Sequence, residues 1–379
     1  MLSSLIAAVA LAQTPVQTPV QVPSFSQTVL QDFQTWDADH DGTLTQAEVD
    51  KAALDPKFHG ADAAALATLH KWLIAVDGPA PTLTKDWFQN YKPVVFRATK
   101  GSTAQEKKEQ RKAFTSNPGS LQGTFVAGYR KLSRMTQTPL FADSPELSDI
   151  RQGGLGDCYM LAPLGALVHR NPSDVKNMIV PNSNGYTVKF ADGQTVQVSP
   201  LTDTELAMVG SSIKEGLWIR VMEKAYGTRK IADGETKVAT DSMHGGNSGV
   251  AGKAFTGHKF KGIKLIGDFQ KEVPTQTLDA KMAELRTDIP KAAAEHRLMT
   301  AGTPKKDMPK SISPNHAYAV FGYDAKTDRI TLWNPHGNDF TPKGPEGPTN
   351  GYKIDDGVFS MPLDMFVRTF GNIQFEQGE

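Results

Sequence analysis

Residues 150–170 read IRQGGLGDCYMLAPLGALVHR, and the change of texture inside them decides the fold. A glycine-rich turn, Gly153-Gly154-Leu155-Gly156, runs into an apolar stretch of helical character, and the chain's only cysteine, Cys158, stands at the junction. The first turn of a helix leaves N–H groups without intrahelical partners, and the helix dipole adds partial positive charge there. With Asp157 as the expected cap, a thiol in that turn is expected to ionise readily. A thiolate is the nucleophile that acyl transfer from an amide requires. A lone cysteine can form no internal disulfide, and taken alone it reads equally well as a small buried hydrophobe.

Downstream, SPNHAYAVFGYD (313–324) sets His316 at the head of an apolar run that predicts a core strand. ITLWNPHG (330–337) ends a second strand-like run on Asn334. An imidazole can serve as base and proton donor to the thiol, and a carboxamide can fix the imidazole tautomer. The order is therefore Cys, His, Asn. Each residue also has a plainer reading: a buried thiol, a satisfied core histidine, a turn former before Pro335. The collinear set with its flanks favours catalysis.

The run Gln152-Gly153-Gly154-Leu155-Gly156-Asp157-Cys158 resembles the active-site signature of the calpain family of papain-fold cysteine proteases, here of a bacterial type. Asn315-His316-Ala317-Tyr318 resembles the family's histidine segment, and Asn334-Pro335 with Gly337 its asparagine segment. Leu217-Trp218 with Glu223-Lys224-Ala225-Tyr226 is similar to a family helix, and Asp356-Gly357, Phe359 and Met361 to a late strand. Gly245-Gly246 and Phe255-Thr256-Gly257 match a family loop more loosely. The likeness runs from about Phe141 to the C-terminus, roughly 60% of the chain. It implies Cys158 as nucleophile, His316 as general base and acid, Asn334 as the orienting residue, and Gln152 as an oxyanion donor beside the Cys158 N–H. It implies an α+β fold too: a papain-like core of a helical lobe (141–245) and a strand-rich lobe (246–379), with substrate between them. In that family calcium aligns the two lobes; the dispersed ligands involved have no match here. Three residues depart from the pattern. Tyr159 and His336 stand where the family carries tryptophan, and Pro163 lies inside the nucleophile's helix, where it is expected to kink it.

Upstream, DADHDGTLTQAE (37–48) places Asp37, Asp39 and Asp41 at alternate positions, Gly42 sixth and Glu48 twelfth, the register of a calcium-binding EF-hand. Calcium takes roughly six to eight oxygens, and the loop offers the three aspartates, the Thr43 carbonyl, Thr45 and a bidentate Glu48. Leu44 at the eighth position calls for a paired loop. Leu83-Thr84-Lys85-Asp86-Trp87 supplies a degenerate one, in which Trp87 takes the place of Glu48 and Asp77-Gly78-Pro79-Ala80-Pro81 lacks the alternating carboxylates. Residues 25–95 are thus expected to be a small α-helical EF-hand pair, and 96–140 a helical connector with a solvated Lys/Arg face.

Residues 1–12 read as a signal peptide cut before Gln13, and 13–24 as a Pro/Thr/Gln-rich linker, so export to the periplasm or the medium is expected. Lys plus Arg and Asp plus Glu balance at 41 each, which removes any global field for nucleic acid. Hydrophobic residues at 39% suffice for real cores, and the first apolar run is too short to span a membrane. The chain therefore reads as a calcium-dependent cysteine endopeptidase acting on proteins or peptides, with Ca2+ as its cofactor. Two alternatives use the same residues: a transglutaminase-like acyl transferase, disfavoured because Asn334 replaces the usual aspartate, and a catalytically dead calcium-binding interaction protein.

Overall fold

The computed structural model describes residues 22–75, 81–102, 104–135, 138–153, 155–208, 216–231 and 238–378. The expected signal peptide, most of the linker, and Asp77 to Ala80 of the second loop lie outside them.

Helix α1 (Phe25–Trp36) turns Phe25, Val29, Phe33 and Trp36 inward at helical spacing, and all four are buried. The acidic loop follows, then strand β1 (Thr43–Leu44) and helix α2 (Gln46–Ala53), whose start is fixed by a reciprocal capping box between Thr45 and Glu48. Helix α3 (Gly60–Ala75), strand β2 (Leu83–Thr84) and helix α4 (Lys85–Gln89) complete the unit. Strands β1 and β2 pair antiparallel, with Thr43 opposite Thr84 and Leu44 opposite Leu83. Thr84 accepts from the Trp87 N–H as Thr45 does from Glu48.

After α5 (Ala104–Thr115), helix α6 (Leu121–Leu132) puts Leu121, Phe125 and Leu132 into the same core as α1 to α4. The Phe125 ring lies 6.0 Å from that of Phe25. The stretch expected as a connector therefore completes the N-terminal core.

Helix α7 (Cys158–Arg170) buries every side chain from Tyr159 to Val168. Pro163 is accommodated within this single uninterrupted element, because burial on all faces holds the helix together despite the missing donor. Then come α8 (Pro172–Met178) and a three-stranded antiparallel sheet of β3 (Ile179–Asn182), β4 (Gly185–Lys189) and β5 (Thr195–Val198). Helix α9 (Asp203–Met208) sends Leu206, Ala207 and Met208 into the N-terminal core, joining the two parts of the molecule. Helices α10 (Trp218–Thr228) and α11 (Ser248–Thr256) pack with α7 in a second core.

The rest of the chain forms β6 (Phe260–Lys264), α12 (Thr275–Ala294), β7 (Met299–Gly302), β8 (Ala317–Asp324), β9 (Arg329–Trp333), β10 (Val358–Pro362), α13 (Leu363–Thr369) and β11 (Asn372–Glu376). Its strands make an antiparallel six-stranded sheet in the order β10-β9-β8-β7-β11-β6. One face carries α12 and α13 over a third core. Against β9 lies α7, at a distance set by Gly165: a Cβ there would stand 2.3 Å from the Trp333 ring. A bulge in β8 between Val320 and Gly322 aims Phe321 at α7, where its ring stacks on His169 at 4.0 Å. The fold is thus a mixed helix and sheet architecture in which a buried helix is held on a strand-rich half.

Candidate active site

Topology brings the histidine and the asparagine together. Strands β8 and β9 are antiparallel neighbours with Ala319 opposite Trp333, so the residue before β8 and the residue after β9 share one end of the sheet. Those residues are His316 and Asn334. His316 Nε2 lies 2.8 Å from Asn334 Oδ1. That oxygen also accepts the His336 N–H at 3.0 Å, while Asn334 Nδ2 donates to Asn338 Oδ1 at 3.1 Å. The amide orientation is therefore fixed from both sides, and an acceptor at Nε2 puts the imidazole proton there and leaves the Nδ1 lone pair free. Backbone bonds pin the segment, since Thr303 Oγ1 accepts from the His316 N–H at 3.0 Å and the Thr303 N–H donates to the His316 carbonyl at 2.9 Å.

Because α7 rests on Trp333, its first residue reaches the same end of the sheet. Cys158 is half-buried, and the Ala317 N–H is directed at its sulfur. Cys158, His316 and Gln152 line one cavity of about 590 Å³. The Gln152 N–H donates to the Pro335 carbonyl at 2.8 Å, tying the segment before the nucleophile to the turn after Asn334, and its side-chain Oε1 is buried with no hydrogen-bond partner.

The protonation of the site differs from the expectation of a helix-stabilised thiolate. Burial pushes the Cys158 thiol up, outweighing the N–H groups around it. Burial also pushes His316 down to about 3, helped by the neighbouring His336 and opposed by the bond to Asn334. Both shifts favour a neutral thiol beside a neutral imidazole. Asp157 occupies the cap position without a side-chain bond to the helix. Its carboxyl is pushed up to about 8 by burial and then by the nearby Glu223, so it carries little of the charge expected of a cap.

The cleft wall joins two residues noted in the sequence, Tyr159 and Gly246, to four that escaped it, His244, Asn247, Asn372 and Gln374. Tyr159 and Gly246 are in close contact, for a Cβ on Gly246 would meet the Tyr159 ring at 2.3 Å. His244 and Asn247 extend that wall, and Asn372 and Gln374 of β11 reach the cavity from the other side. The last two had a legible signal, a period-two alternation with the buried Ile373 and Phe375.

The acidic loop of the N-terminal part is a second candidate site. Asp37, Asp39 and Glu48 each bring a carboxylate oxygen within 4.8 Å of the others. Asp37 Oδ2 accepts the Gly42 N–H at 3.0 Å, whereas its Oδ1 is buried and has no partner. An orphaned carboxylate oxygen beside two further carboxylates fits a hard divalent cation. Burial pushes Glu48 up, but the Thr45 and Ala38 donors together hold it below the usual range. Asp41 lies outside the cluster, accepting the N–H and hydroxyl of Thr43 at 2.7 and 2.6 Å. The Thr45 hydroxyl is occupied by the capping box with Glu48, and Thr43 pairs with Thr84 in the short ladder.

The family model described as Calpain family cysteine protease matches residues 108–345. Among curated relatives, the chain is 23% identical over 299 residues to calpain-8 of Homo sapiens, covering 68% of this chain and 39% of that protein. It is 24% identical over 293 residues to the calpain-1 catalytic subunit of Mus musculus, covering 66% and 38%. It is 28% identical over 211 residues to calpain-13 of Rattus norvegicus, covering 50% and 29%. The matched stretch is thus well under half the length of these relatives.

Proposed function

Because the chain belongs to the calpain family of cysteine proteases, we propose that it is an endopeptidase acting through Cys158, His316 and Asn334, with Gln152 as an oxyanion donor. The observation that carries this reading is the shared cavity of Cys158, His316 and Gln152, with Asn334 bonded to the far nitrogen of the imidazole. Nδ1 takes the thiol proton as the sulfur attacks a peptide carbonyl. The Cys158 N–H and the Gln152 side-chain amide receive the developing oxyanion. The amine leaves with the proton from His316, and water then hydrolyses the thioester by the reverse proton path. Since the resting pair is neutral, the proton moves with the attack and is not already transferred at rest. Among the described residues no helix is long and apolar enough to cross a membrane, and protein or peptide chains are the substrates.

One digestion tests the reading: casein with wild type and with Cys158→Ala, followed by mass spectrometry. Fragments carrying one added water, from wild type only, are expected. Cross-linked chains would point to acyl transfer instead, and intact casein in both arms would sink the enzyme reading.

The Asp37 to Glu48 loop is read as an EF-hand for calcium, supported by the orphaned Asp37 oxygen and by its pairing through Leu44 and Leu83 with a degenerate partner. Bound there, calcium would neutralise the converging carboxylates and stiffen the link from α1 to α2. Its removal by chelator is expected to lower the melting temperature and the cleavage rate. Equal values of both in calcium and chelator would sink the calcium reading. Export to the periplasm or medium is the companion proposal, tested by N-terminal sequencing of the protein recovered outside the cytoplasm; an intact Met1 there would overturn it.

A further inference from the structure

His70, on α3, is buried to 1% exposure with a carboxylate at each ring nitrogen. Nδ1 lies 2.7 Å from Asp50 of α2, and Nε2 lies 2.9 Å from Asp241 in the short turn Ala239–Met243. One ligand atom from each of the three lies within 4.8 Å of the others, and with both ring nitrogens engaged the imidazole links α2 to the turn that carries Asp241. At one end, Asp50 lies one turn into the helix that Glu48 and Thr45 of the acidic loop cap. At the other, the turn carrying Asp241 leads directly into the cleft wall. Its own seat is tight: Ser242 Oγ donates to the Gly227 carbonyl at 2.7 Å, and a Cβ on Gly227 would stand 2.1 Å from the Ala239 carbonyl. Just beyond, the Gly245 N–H donates to the Gly156 carbonyl at 3.2 Å, two residues before the nucleophile.

We propose that Asp50, His70 and Asp241 form a positioning bridge, through which the N-terminal helical part holds the His244–Asn247 wall against the nucleophile's turn and passes the state of the acidic loop to the cleft. The inference rests on the cleft being the peptidase site and deepens that reading by naming its regulation. None of the three lines the cleft cavity. They act through Gly245 and Gly246, whose contacts with Gly156 and Tyr159 set the width of the cleft beside the sulfur.

Hydrogen exchange and steady-state kinetics on the full chain test it, using Asp241→Asn, which keeps the shape of the side chain, and His70→Gln, which removes the ring. Amides of residues 239–247 are expected to exchange about tenfold faster in both variants while α7 and the six-stranded sheet keep their protection. KM for a peptide is expected to rise several-fold with kcat changed less than about twofold. Glu48→Gln is expected to loosen the same amides. Unchanged exchange at 239–247 in Asp241→Asn, or loosening spread evenly over the molecule, would overturn the bridge. Should wild type melt and cleave equally in calcium and in chelator, the calcium reading falls while the exchange comparison still decides the bridge. Should wild type cleave nothing, the peptidase reading falls and the same comparison again decides.

Discussion

The imidazole rings of His316 and His336 stack face to face, with centroids 4.5 Å apart and planes 6° from parallel. A tryptophan at the second position would shield the bond between His316 and Asn334 as a neutral plate. A histidine shields it too, but a second imidazole against the first disfavours any proton arriving there, and it adds to burial in holding His316 at about 3. Replacing His336 with tryptophan keeps the stack and removes the chargeable neighbour. Alkylation of Cys158 at neutral pH is expected to accelerate about tenfold in His336→Trp, which corresponds to about one pKa unit gained by the pair. An unchanged or slower alkylation would mean that burial alone sets the resting state.

Asn334 and Gln152 serve different steps in the proposed cycle, and two measurements on each variant separate them. Asn334→Ala removes the acceptor that holds the proton on Nε2, so both alkylation of Cys158 and kcat are expected to fall, kcat by about a hundredfold. Gln152→Ala removes only an oxyanion donor. Its kcat is expected to fall by about 10² to 10³ with alkylation left near the wild-type rate. Equal alkylation in the two variants would contradict this division of roles.

The parts of the site that follow from local pattern were legible in the sequence. The Gly-rich turn before an apolar helix announced Cys158 at a helix start, and the alternating runs announced His316 and Asn334 at strand ends. What the sequence could not give is whatever depends on burial from distant segments. The thiol and the imidazole are both held neutral by chain packed around them, so the helix dipole did not decide the ionisation. Asp157 makes no side-chain cap bond, and its carboxyl is raised by burial and then by Glu223, which lies in another helix. His70 carries no local signal, since its partners Asp50 and Asp241 are far from it in the chain. Helix α6 reads as a connector in the sequence because the core its apolar residues join is built from α1 and α3, which lie far from it in the chain.

The contact between Gly165 and Trp333 couples packing to chemistry. A methyl group at Gly165 would fall 2.3 Å from the indole, inside any allowed approach. The helix must then lift from β9 or the indole must turn, at a cost of about 1 to 3 kcal/mol. Gly165→Ala is expected to lower the melting temperature by several degrees. It is also expected to reduce kcat well below that temperature, because lifting α7 carries Cys158 away from the end of the sheet that holds His316. A variant less stable yet fully active would show that the helix and strand can separate without moving the sulfur.

His70 and His316 make opposite contributions to stability as pH changes. Burial alone would lower His70, but the bonds to Asp241 and Asp50 outweigh it and raise it to about 9. The folded state therefore holds a proton that the unfolded chain releases above about 6.5. The resulting stability is fully present below 6.5 and is lost as pH rises through 9. His316 is shifted the other way, so its contribution is complete above about 6.5 and is lost as pH falls toward about 3. Asp157, raised to about 8, adds to the alkaline limb, so the informative quantity is the difference between wild type and His70→Gln. Melting temperatures from pH 5 to 10 should show the wild-type advantage over His70→Gln shrinking steadily above about pH 7, while the acid limbs of the two proteins run parallel. A gap that stays constant across the alkaline range would mean that the Asp50 and Asp241 carboxylates do not hold a proton on His70.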